Sequence, residues 1–111
     1  MSPKEGSQLQ GSLDVLILRA LSEGPSHGYG IAKWVREASD DALVIEDRAL
    51  YIALHRLEER GWLVATWGAS ENNRRARYYR LSTSGKRALA RKQREWVSHA
   101  AAMFKALGIK R

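Results

Sequence analysis

Apolar positions recur at helical spacing in four places along the chain. From Gln8 to Ser22, Leu9, Leu13, Leu16, Ile17, Ala20 and Leu21 share one face, and a stripe this wide predicts a helix packed on a core. Residues 1–7 combine Pro, Gly and charge with nothing to bury, so an irregular, disordered lead-in is expected before it. Glu23 to Pro25 interrupt the pattern. Ser26 can then cap a second helix over His27 to Ala38, with Tyr29, Ile31, Ala32, Trp34 and Val35 as its apolar positions. Gly28 and Gly30 cost such a helix about 1 kcal/mol each relative to Ala, so something other than propensity, such as close helix packing, wants bare backbone there. A third helix runs from Asp47 to Arg60: Leu50, Ala53, Leu54 and Leu57 form one narrow stripe, and Gly61 is its stop signal.

Between these helices the period changes. Ala42 to Ile45 reads as a short strand or an extended lead-in. Trp62 to Trp67 and Ala76 to Leu81 are rich in aromatic and β-branched residues and flank a polar stretch from Gly68 to Arg75, the signature of a β-hairpin. Asn72 and Asn73 suit the positive φ that its tip needs. Ser82 or Thr83 then caps a long helix that ends at Gly108. Helix, helix, short strand, helix, hairpin and long helix is the winged helix-turn-helix order. The expected fold is therefore mainly α with a small β-hairpin: a winged helix-turn-helix over residues 1–82 and a C-terminal dimerisation helix over residues 83–111, in one compact domain overall.

The last helix carries a second pattern. Leu89, Gln93, Trp96, Ala100, Met103 and Leu107 alternate steps of four and three, a heptad seam that Val97 and Phe104 widen. A helix of about 25 residues is about 37 Å long. It outruns the core of so small a chain and needs a partner. A second copy is the economical one, with Leu9 and Leu13 of the first helix joining the cluster; the alternative is that the stripe folds back on its own domain. Trp96 and Phe104 lie mid-seam, where a dimer leaves room for an aromatic-lined effector pocket, although such stripes are more often plain packing.

Charge sharpens this picture. The net charge is +7 over 111 residues, and the pI near 10.1 suits a polyanionic partner. From Arg74 onward twelve Lys and Arg face one acid, Glu95, whereas the first 73 residues hold seven against eleven. Without cysteine there is no disulfide or thiolate metal site, and His27, His55 and His99 stand apart from one another, so neither metal nor cofactor is expected. The polar N-terminus and the lack of an apolar run of about 18 residues point to a cytoplasmic protein with no membrane partner. No nucleophile beside a base, paired-carboxylate site or phosphate loop appears, so an enzyme is not expected.

The candidate chemistry lies on the third helix and the hairpin. Arg48, Tyr51, Ile52, His55 and Arg56 occupy the face opposite the apolar stripe, a mixture of adaptable donors that suits a nucleic-acid groove better than ordinary Lys/Glu lacing does. Tyr51 and Arg56 are expected to reach phosphates, and Arg48, Ile52 and His55 base edges. Asn72, Asn73, Arg74, Arg75 and Arg77 form a basic tip, arginine being the cation that grips phosphate bidentately and enters narrow minor grooves. Strand alternation sends Arg75 and Arg77 to one face and Tyr78 and Arg80 to the other. Tyr29 is either a further backbone contact or a tyrosine at the rim of the core.

Three runs, GSLDVLILRAL from Gly11, GPSHGYGI from Gly24 and LYIALHRL from Leu50, together with WGASENNRRARYYRL from Trp67, resemble the PadR family of bacterial transcriptional regulators. The resemblance covers residues 11 to 107 in one register. It implies a winged-helix repressor, dimeric through its C-terminal helix, that binds a palindromic double-stranded DNA operator and, as often in the family, is released by a small effector; no ligand carries over, and a small aromatic effector is suggested only by the Trp96 and Phe104 seam. By position, Tyr51 matches the family's reading-helix tyrosine, and Asn72 to Arg75 with Arg77 match its basic wing. Arg48 and Ile52 depart from it, standing where the family usually has Gly and Pro. The alternative function is a small-molecule-binding or protein-interaction dimer with only nonspecific DNA affinity. RNA binding is disfavoured because no exposed sheet offers an aromatic stacking platform.

Overall fold

The structure, a computed structural model, describes residues 3–110, with side chains from residue 12 onward. Its elements are α1 (Pro3–Ser22), β1 (Ser26–His27), α2 (Gly28–Ala38), α3 (Asp47–Glu59), β2 (Leu63–Ala69), β3 (Arg75–Leu81) and α4 (Thr83–Leu107). The architecture is mainly helical, with one three-stranded antiparallel sheet in the order β1-β3-β2.

The core is the sum of the four apolar stripes. Ile17 and Leu18 of α1, Ile31 and Val35 of α2, and Leu50, Leu54 and Leu57 of α3 are fully enclosed. Leu63, Tyr79 and Leu81 close it from the sheet, and Ala88 and Leu89 from the start of α4. Each large side chain removed from water contributes about 1.5–3 kcal/mol, so this cluster of α1, α2, α3 and sheet residues carries the fold.

Two local expectations change, and the choice left open at Ala42 to Ile45 falls to the extended lead-in. α1 begins at Pro3 rather than Gln8, so the lead-in is helical from there; proline suits a first turn, where no N–H is needed. Residues 42–46 form no strand. The third strand is instead β1, where Ser26 pairs with Tyr79 and His27 with Tyr78. With Ser26 engaged in the sheet, His27 caps α2, and its Nδ1 accepts the Gly30 N–H at 3.0 Å. This pairing ties the turn between α1 and α2 to the wing.

α4 is capped as its sequence predicts. Ser82 Oγ accepts from the Gly85 N–H at 3.0 Å, and Gly108, at φ 72°, ends the helix. Gly85 lies flush against the Trp62 carbonyl, where any Cβ would collide with backbone. Beyond Leu89 the helix leaves the core and runs along α1, which stretches the molecule to 51 × 29 × 28 Å.

Candidate nucleic-acid interface

α3 shows two unlike faces. Leu50, Ala53, Leu54 and Leu57 are buried, while Arg48, Tyr51, Ile52 and His55 form an exposed ridge, with Tyr51 and Ile52 each 57% accessible. His55 Nε2 lies 2.7 Å from Glu59 Oε1, one turn on. Arg56 corrects the sequence-based expectation. Its guanidinium donates to both oxygens of Asp14 on α1, at 2.8–2.9 Å, and Asp14 is only 3% exposed. A buried carboxylate needs that partner, so Arg56 holds α3 to α1 and is not available to a phosphate.

The wing continues one face of the sheet past the edge of the core. Leu63 faces Leu81, Ala65 faces Tyr79, Trp67 faces Arg77 and Ala69 faces Arg75. These eight residues share a face by strand alternation. Leu63, Leu81 and Tyr79 are buried at its base, whereas Trp67, Arg75 and Arg77 are exposed toward the tip. Arg75 stacks over the Trp67 ring at 4.2 Å from its centroid. Arg77 lies 5.9 Å from the same ring and sets Nη2 2.6 Å from Glu58 Oε2 of α3. Burial pushes the Tyr79 hydroxyl above its usual range, with the neighbouring Arg77 acting in the opposite direction.

On the other face, the Tyr78 hydroxyl donates to the Ala69 carbonyl at 2.8 Å. At the tip, the Ser70 N–H bonds the Arg74 carbonyl and the Asn73 N–H the Ser70 carbonyl, both at 2.8 Å. Asn73 takes the positive φ there, at 57°; Asn72 does not.

Between the start of α2, Tyr51 and the wing lies an open cleft of about 610 Å³. It brings together Tyr29, Tyr51, Asn72, Arg75 and Arg77 from three separated stretches of sequence. Tyr29 is 74% exposed, so it does not sit at the rim of the core. Arg48, Ile52 and His55 lie outside the lining, along the outer ridge of α3, as do Asn73 and Arg74 at the tip. Among the lining residues that sequence reasoning did not place in the site are Lys33, Trp67 and the acidic Glu71. For Trp67 the signal was present in the strand alternation that puts it on the face of Arg75 and Arg77. The bare backbone at Gly28 also finds its reason: a Cβ there would come 3.2 Å from Tyr51 Oη and 3.3 Å from its ring.

The positions expected in a dimer seam divide. Leu89 is buried in its own core and so does not belong to an outer seam, whereas Leu13 packs half-buried against that core. The Leu9 side chain lies outside the described residues. Gln93, Trp96, Val97, Met103 and Leu107 are exposed, and Ala100 and Phe104 half-buried. Trp96 Nε1 donates to Ser12 Oγ on α1 at 3.2 Å. Among the described residues, no helix is long and apolar enough to cross a membrane.

The model of the Transcriptional regulator PadR-like family matches residues 17–91, from the middle of α1 into α4. The chain belongs to this family. A transcriptional regulator from Clostridium thermocellum superposes with a TM-score of 0.79 at 34% identity, over 89% of this chain and 96% of that one. A PadR family regulator from Clostridium difficile gives 0.72 at 31% identity, over 86% and 97%. One from Eggerthella lenta gives 0.72 at 30% identity, over 94% and 89%. Family and fold together make the protein a DNA-binding transcription regulator with a winged helix.

Proposed function

We propose that this PadR-like protein is a homodimeric, sequence-specific repressor whose α3 ridge reads the major groove of a palindromic operator while the wing grips the adjacent backbone. One observation carries this reading: Tyr51 on α3 and Arg75 and Arg77 on the wing face each other across one open cleft. A protruding helix beside an arginine-bearing hairpin fits a groove and its flanking phosphates.

Dimerisation is supported by the apolar positions α4 leaves in water beyond the core, Trp96, Val97, Met103, Leu107 and then Ile109, each 45–66% exposed. Pairing two copies along them buries that stripe and presents two α3 ridges to half-sites about 34 Å apart. Residues 83–111 then serve as the association helix. Such a dimer represses by occupying a promoter. Release by a planar aromatic effector belongs to the same reading, with the half-exposed Trp96 ring and, two turns further along α4, the half-buried Phe104 lining its seat.

Mobility shift decides the matter. The protein is expected to prefer a duplex from its own promoter region over random duplex, with affinity falling steeply with salt. Reversing Arg74, Arg75 and Arg77 to Glu abolishes the shift. Equal affinity for every duplex supports the alternative, a dimer with only nonspecific DNA affinity. Light scattering is expected to give two copies for the unaltered chain and one for Val97→Asp/Leu107→Asp.

A further inference from the structure

Trp67 is an anomaly on the sheet face it shares with the core. Further down that face, apolar residues are buried; Trp67 sits beyond the core and is 59% exposed. An indole gains little from such a position unless something covers it. What covers it is charge: the Arg75 guanidinium lies 4.2 Å from its ring centroid and that of Arg77 5.9 Å. A guanidinium stacked on an indole keeps its N–H edges free for other acceptors while losing the rotamer freedom of a solvated arginine.

We infer that Trp67 is a positioning residue for DNA binding, a platform that holds Arg75 at the mouth of the cleft opposite Tyr51. This rests on the proposed DNA-binding reading of the cleft. The hairpin is stiff enough for the platform to matter. The Tyr78 hydroxyl clamps Ala69, the cross-strand partner of Arg75, and the tip is closed by two backbone hydrogen bonds of 2.8 Å. Trp67 therefore sets where Arg75 stands before a duplex arrives, and removes an ordering cost that binding would otherwise carry. Glu58 restrains Arg77 from the α3 side. Among the described residues Arg75 has no carboxylate partner, and its ring contact is with the Trp67 indole.

The test uses the full chain, a fluorescent duplex from the promoter region of its own gene, and Trp67→Phe, Trp67→Leu and Arg75→Ala variants. Leu keeps apolar bulk but removes the π face; Phe keeps a face. An exposed cation–π contact accounts for about threefold in affinity per wing, and two wings compound this to about tenfold. Trp67→Leu is expected to weaken binding about tenfold with an unchanged thermal midpoint, and Trp67→Phe by about threefold or less. The double variant Trp67→Leu/Arg75→Ala is expected to bind no more weakly than Arg75→Ala. Independently of DNA, the Arg75 side-chain proton resonances should lie upfield in the ring current of the indole and return to free values in Trp67→Leu. Binding unchanged in Trp67→Leu, losses that multiply in the double variant, or Arg75 resonances at free values in the unaltered protein would each overturn the proposal while leaving the cleft's function intact. No binding of the unaltered protein to any duplex would remove the DNA reading itself, and the proposal with it.

Discussion

Arg77 reaches across from the wing and sets its Nη2 2.6 Å from Oε2 of Glu58 on α3. The two elements proposed to embrace one duplex are thus joined by a salt bridge between a cation suited to phosphate and a carboxylate that repels it. Both side chains are partly open to solvent, at 41% and 27%, so the bridge itself contributes only about 0.2–1 kcal/mol. Its larger effect is on binding, because Arg77 must leave Glu58 before it can serve a phosphate fully.

Glu58→Gln is therefore expected to raise affinity for any duplex about two- to fivefold and to steepen its salt dependence. Since phosphates are common to all sequences, discrimination between operator and random DNA should not improve. Titrations at several salt concentrations check this; an unchanged affinity would mean that Arg77 stays with Glu58 in the complex.

The Asp14–Arg56 pair makes the opposite prediction, a loss of stability with no direct effect on DNA contacts. Arg56→Ala leaves the Asp14 carboxylate buried and unpaired and is expected to cost about 3 kcal/mol. Asp14→Ala should cost less, since Arg56 is a quarter exposed and can turn to water. Asp14→Leu/Arg56→Met should recover most of the loss, and urea denaturation of the three variants separates these outcomes.

Gly28 and Tyr51 are coupled by contact. In Gly28→Ala the new methyl group needs the Tyr51 ring to give by a few tenths of an ångström, and the far end of that exposed side chain can do so. Stability should stay within about 1 kcal/mol. DNA affinity should fall about three- to tenfold if displacement of one phosphate-contacting hydroxyl costs about one hydrogen bond per half-site. Gly28→Ala should add nothing in a Tyr51→Phe background if that hydroxyl is the group displaced.

Tyr79 predicts an alkaline limit. Burial favours its neutral form, so its folded pKa lies above the unfolded value of about 10. Its contribution is complete below about pH 10 and is lost as pH rises through the folded pKa, at up to about 1.4 kcal/mol per pH unit. Urea melts of the unaltered protein and Tyr79→Phe should run parallel below about pH 9.5 and diverge above it, the unaltered protein falling faster.

The run of apolar and polar residues determined most of this molecule. Three of its four helices start within a residue of where periodicity and caps put them, and the hairpin strands lie within two residues of theirs, because amphipathic spacing and capping are local properties of the chain. The basic wing and the exposed α3 ridge were legible for the same reason. Tertiary structure alone decided which neighbour stands across from each face. Arg56 reads as a free cation until a helix 42 residues earlier supplies Asp14. Leu89 reads as part of an outer seam until the sheet and α1 enclose it, and Ser26 as a helix cap until β3 takes it into the sheet. Periodicity records that a face must be covered or solvated; only the packing of distant segments says by what.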